Sequence, residues 1–158
     1  MKKNLFISLI CMAFLLGALS SYAYIKNAPS EILAGKPKME RLPEGTSPSA
    51  YNTGITYEQA MKSNKPMMVL FYADWCGYCK RFAGLLPDIV NEFSNDMNIL
   101  LVNCEDPANK HIFKNYYVKG YPTVYIVDPK YDFKHEVLTT FPLELVQKEL
   151  RAYINLRK

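Results

Sequence analysis

Two cysteines three residues apart stand where a continuous apolar run gives way to a helix, and this junction constrains the fold most. The run Met67–Tyr72 (Met-Met-Val-Leu-Phe-Tyr) predicts a short strand that is buried on both faces. Cys76 and Cys79 follow closely and would lie in the first turn of the next helix. Side chains three apart on a helix lie about 5–6 Å from each other on one face, within the span of a disulfide. The pair could therefore form and break a disulfide with little backbone movement.

The two cysteines are expected to differ in their surroundings. Cys76 would lie at the helix N-terminus, where unpaired N–H groups stabilise a thiolate, whereas Cys79 would be less exposed and act as the resolving thiol. A structural disulfide, half of a zinc site and a coincidental pair of buried thiols are the alternatives. A second ligand pair is missing, because Cys104, His111 and His135 have no ligand spacing with one another. The strand–helix context favours redox use, and we expect no metal and no cofactor.

From Tyr51 onward the sequence alternates between helical and strand patterns. Helices are predicted over 56–63, 76–93, 109–116 and from 142, and strands over 67–72, 99–103, 123–127 and 134–140. Gly84 and Pro87 should kink or weaken the second helix. Thr56 with Gln59 three residues later forms a capping-box pattern. This order predicts an α/β fold with a mixed central sheet of about four strands flanked by helices.

The N-terminal part differs in composition from the rest. Residues 1–23 predict an export signal, because two lysines precede an uncharged apolar stretch and small residues follow where a signal peptidase would cut. An uncleaved membrane anchor is the alternative, since the uncharged run approaches the ~20 residues of a spanning helix. Residues 24–50 hold four prolines and two glycines and predict a linker. Residues 51–158 then form one globular domain, which we expect to work outside the cytoplasm, in a periplasm or similar compartment.

The charge balance argues against a nucleic-acid partner. The chain has 19 basic and 15 acidic residues, and two of the basic ones are the lysines of the predicted signal. The remaining charges nearly cancel, and no segment concentrates basic residues on one face. We therefore expect proteins, not nucleic acids, as partners.

Two motifs carry a resemblance to a known family. Trp75-Cys76-Gly77-Tyr78-Cys79-Lys80 and Gly120-Tyr121-Pro122-Thr123 are separated by a strand and a helix, and over residues 56–155 the chain resembles the thioredoxin superfamily. It is most similar to exported bacterial thioredoxin-like thiol–disulfide oxidoreductases. The resemblance implies a thioredoxin fold and a redox-active disulfide, Cys76-Cys79, with Cys76 as the attacking nucleophile and Cys79 as the resolving thiol. Pro122 would be a cis-proline facing the pair, although a turn before a strand is the simpler interpretation of that residue.

The resemblance also implies substrates and partners. Protein thiols or disulfides would be the substrates, contacted by Trp75, Gly77, Tyr78, Tyr121 and Pro122, with core packing as the alternative for the tryptophan. A redox donor or acceptor protein, which could be membrane-bound, would recycle the pair, and the protein is expected to act as a monomer. The direction of electron flow is left open. The alternative function is a non-catalytic thioredoxin-fold binding module whose cysteines form a structural disulfide.

Two departures from the family pattern affect the chemistry. Leu70 stands where many thioredoxins bury an acid, and Leu101 stands where they place the accompanying lysine. Both members of a buried charged pair are then apolar, which is consistent, since one charge left alone would be costly. The relay that takes the proton from Cys79 is therefore in doubt. Tyr78 replaces a proline that accompanies strongly reducing members, and the Gly-Tyr dipeptide resembles that of the bacterial disulfide isomerase.

Four further residues have simple expectations. Cys104 ends a buried strand and is expected to be a small, buried apolar thiol. Asp74 is expected to be a solvated aspartate at the end of a strand. The two histidines receive no role.

Overall fold

The computed structural model describes residues 38–137 and 144–158. The predicted signal or anchor at residues 1–23 and the first part of the predicted linker lie outside the described residues. Within the described ranges, no helix combines the length and the apolar character needed to cross a membrane.

Four strands form one mixed sheet in the order β2-β1-β3-β4. The strands are β1 (Met67–Tyr72), β2 (Asn98–Asn103), β3 (Thr123–Asp128) and β4 (Phe133–Val137). β1 pairs with β2 in parallel and with β3 antiparallel, and β3 pairs antiparallel with β4. Every residue of β1 is buried, as its continuous apolar sequence predicts for a strand between two others. The predicted α/β architecture and strand number are confirmed.

Among the residues that the structure describes, five α-helices flank this sheet. They are α1 (Tyr57–Met61), α2 (Gly77–Ala83), α3 (Leu86–Phe93), α4 (Lys110–Phe113) and α5 (Glu144–Arg157). The Thr56 hydroxyl and the Gln59 side chain close the predicted capping box at the start of α1. The helix predicted over 76–93 is two helices, α2 and α3. Pro87 has no N–H to donate to the carbonyl of Ala83, and its ring crowds that carbonyl, so α2 ends at Ala83.

The helices cover both faces of the sheet. Met68, Leu70 and Tyr72 of β1 belong to a core that also contains apolar residues of α2, α3 and α5. The alternating residues of β1 belong to a second core, which includes Ala60 of α1 and Ile112 of α4. They are Met67, Val69 and Phe71. The two-residue period of the strand therefore assigns its side chains to two cores.

Residues 38–50, the second half of the predicted linker, lie against this domain. The Asn91 side chain accepts the Met39 N–H at 2.8 Å and donates to the Met39 carbonyl at 3.0 Å. Arg41 pairs with Asp88 at 2.7 Å. These contacts attach the segment to α3, so this part of the proline-containing region is ordered on the surface of the domain.

A buried carboxylate joins β3 to α5 at the end of the sheet away from the cysteines. Asp128 is 0% exposed and accepts hydrogen bonds from Arg157 and, at 2.9 Å, from the Tyr153 hydroxyl. Burial opposes its ionisation, but the hydrogen bonds from Arg157 and Tyr153 outweigh burial and lower the pKa of Asp128. The ionised carboxylate therefore fixes the C-terminal helix to the sheet.

Candidate active site

The cysteine pair lies at the carboxyl end of β1. Cys76 is the N-cap residue of α2, and Cys79 lies one turn inside the helix. Both are thiols in the structure. Cys76 is 5% exposed and Cys79 is 0% exposed. The outer position of Cys76 and the enclosed position of Cys79 agree with the sequence prediction.

The thiol of Cys76 contacts two backbone groups. The N–H of Cys79 donates to Cys76 Sγ at 3.2 Å. The thiol in turn donates to the carbonyl oxygen of Tyr121 at 3.5 Å. The Tyr121–Pro122 peptide bond is cis, as the resemblance implied. The loop before β3 therefore faces the outer cysteine, and a backbone N–H is in place to stabilise negative charge on its sulfur.

Cys79 has a different environment. Burial, and then its hydrogen bond with Cys76, raises the pKa of Cys79 to about 12. This thiol is therefore protonated near neutral pH. It must lose its proton before it can attack a disulfide, since the thiolate is the nucleophile.

Two leucines occupy the positions where the family pattern has a buried acid and a lysine. Leu70 and Leu101 are cross-strand partners in the parallel pairing of β1 and β2. Leu70 is 0% exposed and belongs to the same core as Cys79. The apolar pair that the sequence predicted is thus adjacent in space, and the core beneath Cys79 is apolar at this point.

Asp74 is more constrained than the sequence suggested. It is half-buried and accepts hydrogen bonds from the Ser47 hydroxyl and, at 2.9 Å, from the Asn103 side-chain amide. The hydrogen bond from Ser47 lowers the pKa of Asp74 despite partial burial. The expectation of a simply solvated aspartate is wrong. Asp74 is an ionised, hydrogen-bonded group near the pair and a weak base at neutral pH.

Aromatic rings surround the pair on the outside. Trp75 is 68% exposed and Tyr78 is 57% exposed, so core packing is the wrong interpretation of the tryptophan. The rings of Trp75 and Tyr121 meet edge-on, with centroids 6.3 Å apart. Gly77 is exposed, and a Cβ there would meet nothing within 4 Å. Together with half-buried Pro122, these residues form an apolar surface next to the Cys76 thiol.

Cys104 lies close to this surface. It follows β2, is half-buried and packs against the core on the opposite face of the sheet from Cys79. Burial raises the pKa of the Cys104 thiol, and the neighbouring Tyr121 side chain opposes that shift. The expectation of a buried apolar thiol is correct only in part, because the side chain packs against the core but is half-exposed.

Sequence reasoning missed Glu105. The indole N–H of Trp75 donates to Glu105 Oε1 at 2.7 Å. The two residues are 30 apart in the chain, and only the parallel pairing of β1 with β2 brings their strand ends together. An acidic residue two positions after the second buried strand was the available signal.

The two histidines lie elsewhere. His111 pairs with Glu58 at 3.0 Å and His135 with Glu149 at 3.3 Å, and both histidines are exposed. In the part of the chain that the structure describes, no three His, Cys, Asp or Glu side chains are grouped to hold a metal ion.

Comparison with known proteins gives a family match over most of the chain. The family model described as Thioredoxin matches residues 49–147. A protein disulfide-isomerase of Datisca glomerata is 40% identical over 68 residues, which are 43% of this chain and 13% of that protein. A protein disulfide-isomerase of Medicago sativa is 34% identical over 90 residues, 56% of this chain and 18% of that protein. The chain thus spans less than a fifth of the length of either relative.

A solved structure supports the fold. The J-Trx1 fragment of ERdj5 is similar with a TM-score of 0.54 at 18% identity, over 64% of this chain and 50% of that one. At this identity the likeness concerns the fold alone. It agrees with the thioredoxin fold that the sequence resemblance implied.

Proposed function

The chain belongs to the thioredoxin family, and from this premise we propose that it exchanges disulfides with protein substrates through Cys76 and Cys79. One observation carries the proposal. The Cys76 thiol lies between the N–H of Cys79 and the carbonyl of Tyr121, beside a cis-proline and exposed aromatic rings. The similarity to segments of protein disulfide-isomerases supports the same class of chemistry.

The exchange proceeds in two displacement steps. The Cys76 thiolate attacks one sulfur of a client disulfide; the client S–S bond breaks, and the departing sulfur takes up a proton. Cys79 then loses its proton and attacks Cys76 Sγ, which releases the second client sulfur as a thiol and leaves the Cys76–Cys79 disulfide. The client has gained two electrons and two protons. A redox partner protein then restores the dithiol, and the reverse sequence oxidises a client.

The substrate chain would lie against the exposed surface beside Cys76. An extended client segment would contact the backbone at Tyr121 and Pro122. The side chains of Trp75 and Tyr78 and the open surface at Gly77 would surround the reacting sulfur. A binding module with a static disulfide is the alternative function. The direct contact of the Cys76 thiol with the Tyr121 carbonyl favours exchange, because it sets the outer cysteine at this surface.

We further propose that the protein is an exported member of the family, of the bacterial kind that its sequence resembles. The support is the sequence of residues 1–23, with two lysines, an uncharged apolar stretch and small residues at its end. The domain would then act in a periplasmic or similar compartment, released or held at the membrane.

A trapping experiment with the full chain in bacterial cells tests these proposals. Cys79→Ser should accumulate mixed disulfides through Cys76, because the second displacement has lost its nucleophile. Cys76→Ser is the matched control and should accumulate none. The conjugates are isolated after acid quenching and identified by mass spectrometry.

Two results test the proposals: which cysteine carries the mixed disulfide, and in which compartment the trapped client proteins lie. We expect dithiothreitol-sensitive conjugates at Cys76 with clients from outside the cytoplasm. Conjugates that form through Cys79 or Cys104 in the control would contradict the assignment of roles. Cytoplasmic clients bound to a chain that retains Met1 would contradict export while leaving the exchange chemistry in place.

A further inference from the structure

A carboxylate after β2 holds the Trp75 ring beside the reactive cysteine. The Trp75 indole N–H donates to the Glu105 carboxylate at 2.7 Å. The Tyr121 side chain neighbours the thiol of Cys104, the residue before Glu105. Because the Trp75 ring also meets the Tyr121 ring edge-on, the hydrogen bond to Glu105 orients the indole against the second ring next to Cys76.

The loop that carries Glu105 is itself fixed. The side-chain oxygen of Asn103 accepts the Glu105 backbone N–H at 2.9 Å. The side-chain nitrogen of Asn103 donates to Asp74 at 2.9 Å, and Asp74 directly precedes Trp75. A closed circuit of hydrogen bonds therefore joins the end of β1 to the end of β2, and the Trp75–Glu105 contact completes it.

Trp75 is held although it buries little of its own surface. With 68% of the residue exposed, packing alone would leave the indole several orientations. The Glu105 carboxylate selects one of them, with the ring beside the thiol. A large apolar ring that is exposed and pre-oriented can bind a partner without first losing this side-chain freedom.

We propose that Glu105 is a positioning residue that holds the Trp75 ring in place on the apolar, client-binding surface next to Cys76. The inference rests on the proposed exchange function and deepens it by naming a substrate class. A fixed indole next to Tyr121 favours peptide disulfides that carry an aromatic or other large apolar side chain beside the reacting cysteine. Small disulfides without such a side chain react with the Cys76 thiol but do not contact the Trp75 ring.

The test uses the full chain and two matched peptide disulfides, one with phenylalanine and one with glycine beside the cysteine; glutathione disulfide is a third substrate. Glu105→Ala should raise KM for the phenylalanine peptide roughly fivefold, about the effect of one lost hydrogen bond, with little change in kcat. The change in KM for the glycine peptide and for glutathione disulfide should be several-fold smaller. Glu105→Gln should restore most of the preference, because its amide oxygen can still accept the indole N–H.

Trp75 also provides a direct spectroscopic readout, since it is the only tryptophan in the chain. Its steady-state fluorescence anisotropy should fall in Glu105→Ala and recover in Glu105→Gln. Asp106→Asn removes a neighbouring negative charge while keeping a side-chain oxygen for the Ala108 N–H, and should change neither the anisotropy nor KM. In a Trp75→Phe background, which lacks the indole donor, Glu105→Ala should have no further effect on KM.

The outcomes separate this inference from the proposed function. Unchanged anisotropy in Glu105→Ala, or an equal rise in KM for both peptides, would overturn the role of Glu105 and leave disulfide exchange standing. A natural chain that exchanges with none of the three disulfides would overturn the proposed function, and the substrate preference with it.

Discussion

Replacing Leu70 with aspartate should lower the free energy of unfolding by about 3–5 kcal/mol and, in the protein that still folds, speed resolution of the mixed disulfide about 10²-fold. Leu70 is 0% exposed and shares a core with Cys79, so a carboxylate there would be desolvated. In the family pattern, an acid at this position serves the resolving thiol. Desolvation should raise the pKa of the new carboxyl group toward neutrality. It would then accept the proton that Cys79, with a pKa of about 12, otherwise retains.

Leu70→Asn is the matched control for this prediction. Asparagine has nearly the shape of aspartate and loses the same apolar contacts, but it cannot take up a proton. Both variants should be less stable in urea titrations, and only the aspartate should resolve faster at pH 7. The rate is measured by stopped flow, from release of a chromogenic thiol bound to Cys76, with sucrose added to keep the variants folded. Equal rates in both folded variants would show that another base, such as a water chain, already serves Cys79.

Replacing Asp128 with asparagine should lower the free energy of unfolding by about 2–4 kcal/mol at pH 7. The fully buried carboxylate would lose its charge, and Arg157, whose side chain is 22% exposed, would keep a poorly compensated charge. Glu92→Gln is the control, because the Glu92–Arg151 pair is more exposed and its loss should change stability much less.

The pH dependence gives the Asp128 prediction a defined sign. The pKa of Asp128 is lowered in the folded state. The contribution of its carboxylate to the free energy of unfolding is therefore fully present above about pH 3.9, the pKa of an aspartate in an unfolded chain. The contribution is lost as pH falls through the lower, folded-state value. Urea titrations should therefore show the largest difference between the natural chain and Asp128→Asn near pH 7 and a shrinking difference below about pH 4. A difference that grows in acid would contradict the account.

The sequence predicted those features that depend on local patterns. The continuous apolar run of β1, the capping box at Thr56 and the spacing of Cys76 and Cys79 each have a local physical cause, and each is present in the structure. The Leu70–Leu101 pairing followed from the family pattern and is present as a cross-strand contact. The strands and the cysteine pair could therefore be predicted from residues close together in the chain.

The missed features depend on residues distant in the chain. Glu105 contacts Trp75 across 30 residues, and Ser47 contacts Asp74 across 27. Neither contact leaves a periodic or spacing signal, because each arises only when strand ends and the N-terminal segment come together. The attachment of Met39 to Asn91 has the same character, which is why a proline-containing segment was interpreted as a linker. The surroundings of the cysteine pair were thus less predictable than the pair itself.

The reduction potential of the Cys76–Cys79 pair tests the central claim most directly. The full chain is equilibrated in defined dithiothreitol and glutathione redox buffers, quenched with an alkylating reagent, and its thiol content is measured by mass spectrometry. A working pair should titrate as a two-electron couple between roughly −270 and −120 mV, the range of thiol–disulfide oxidoreductases. A potential below about −300 mV would show that the two cysteines form a structural disulfide and would contradict the proposed exchange function.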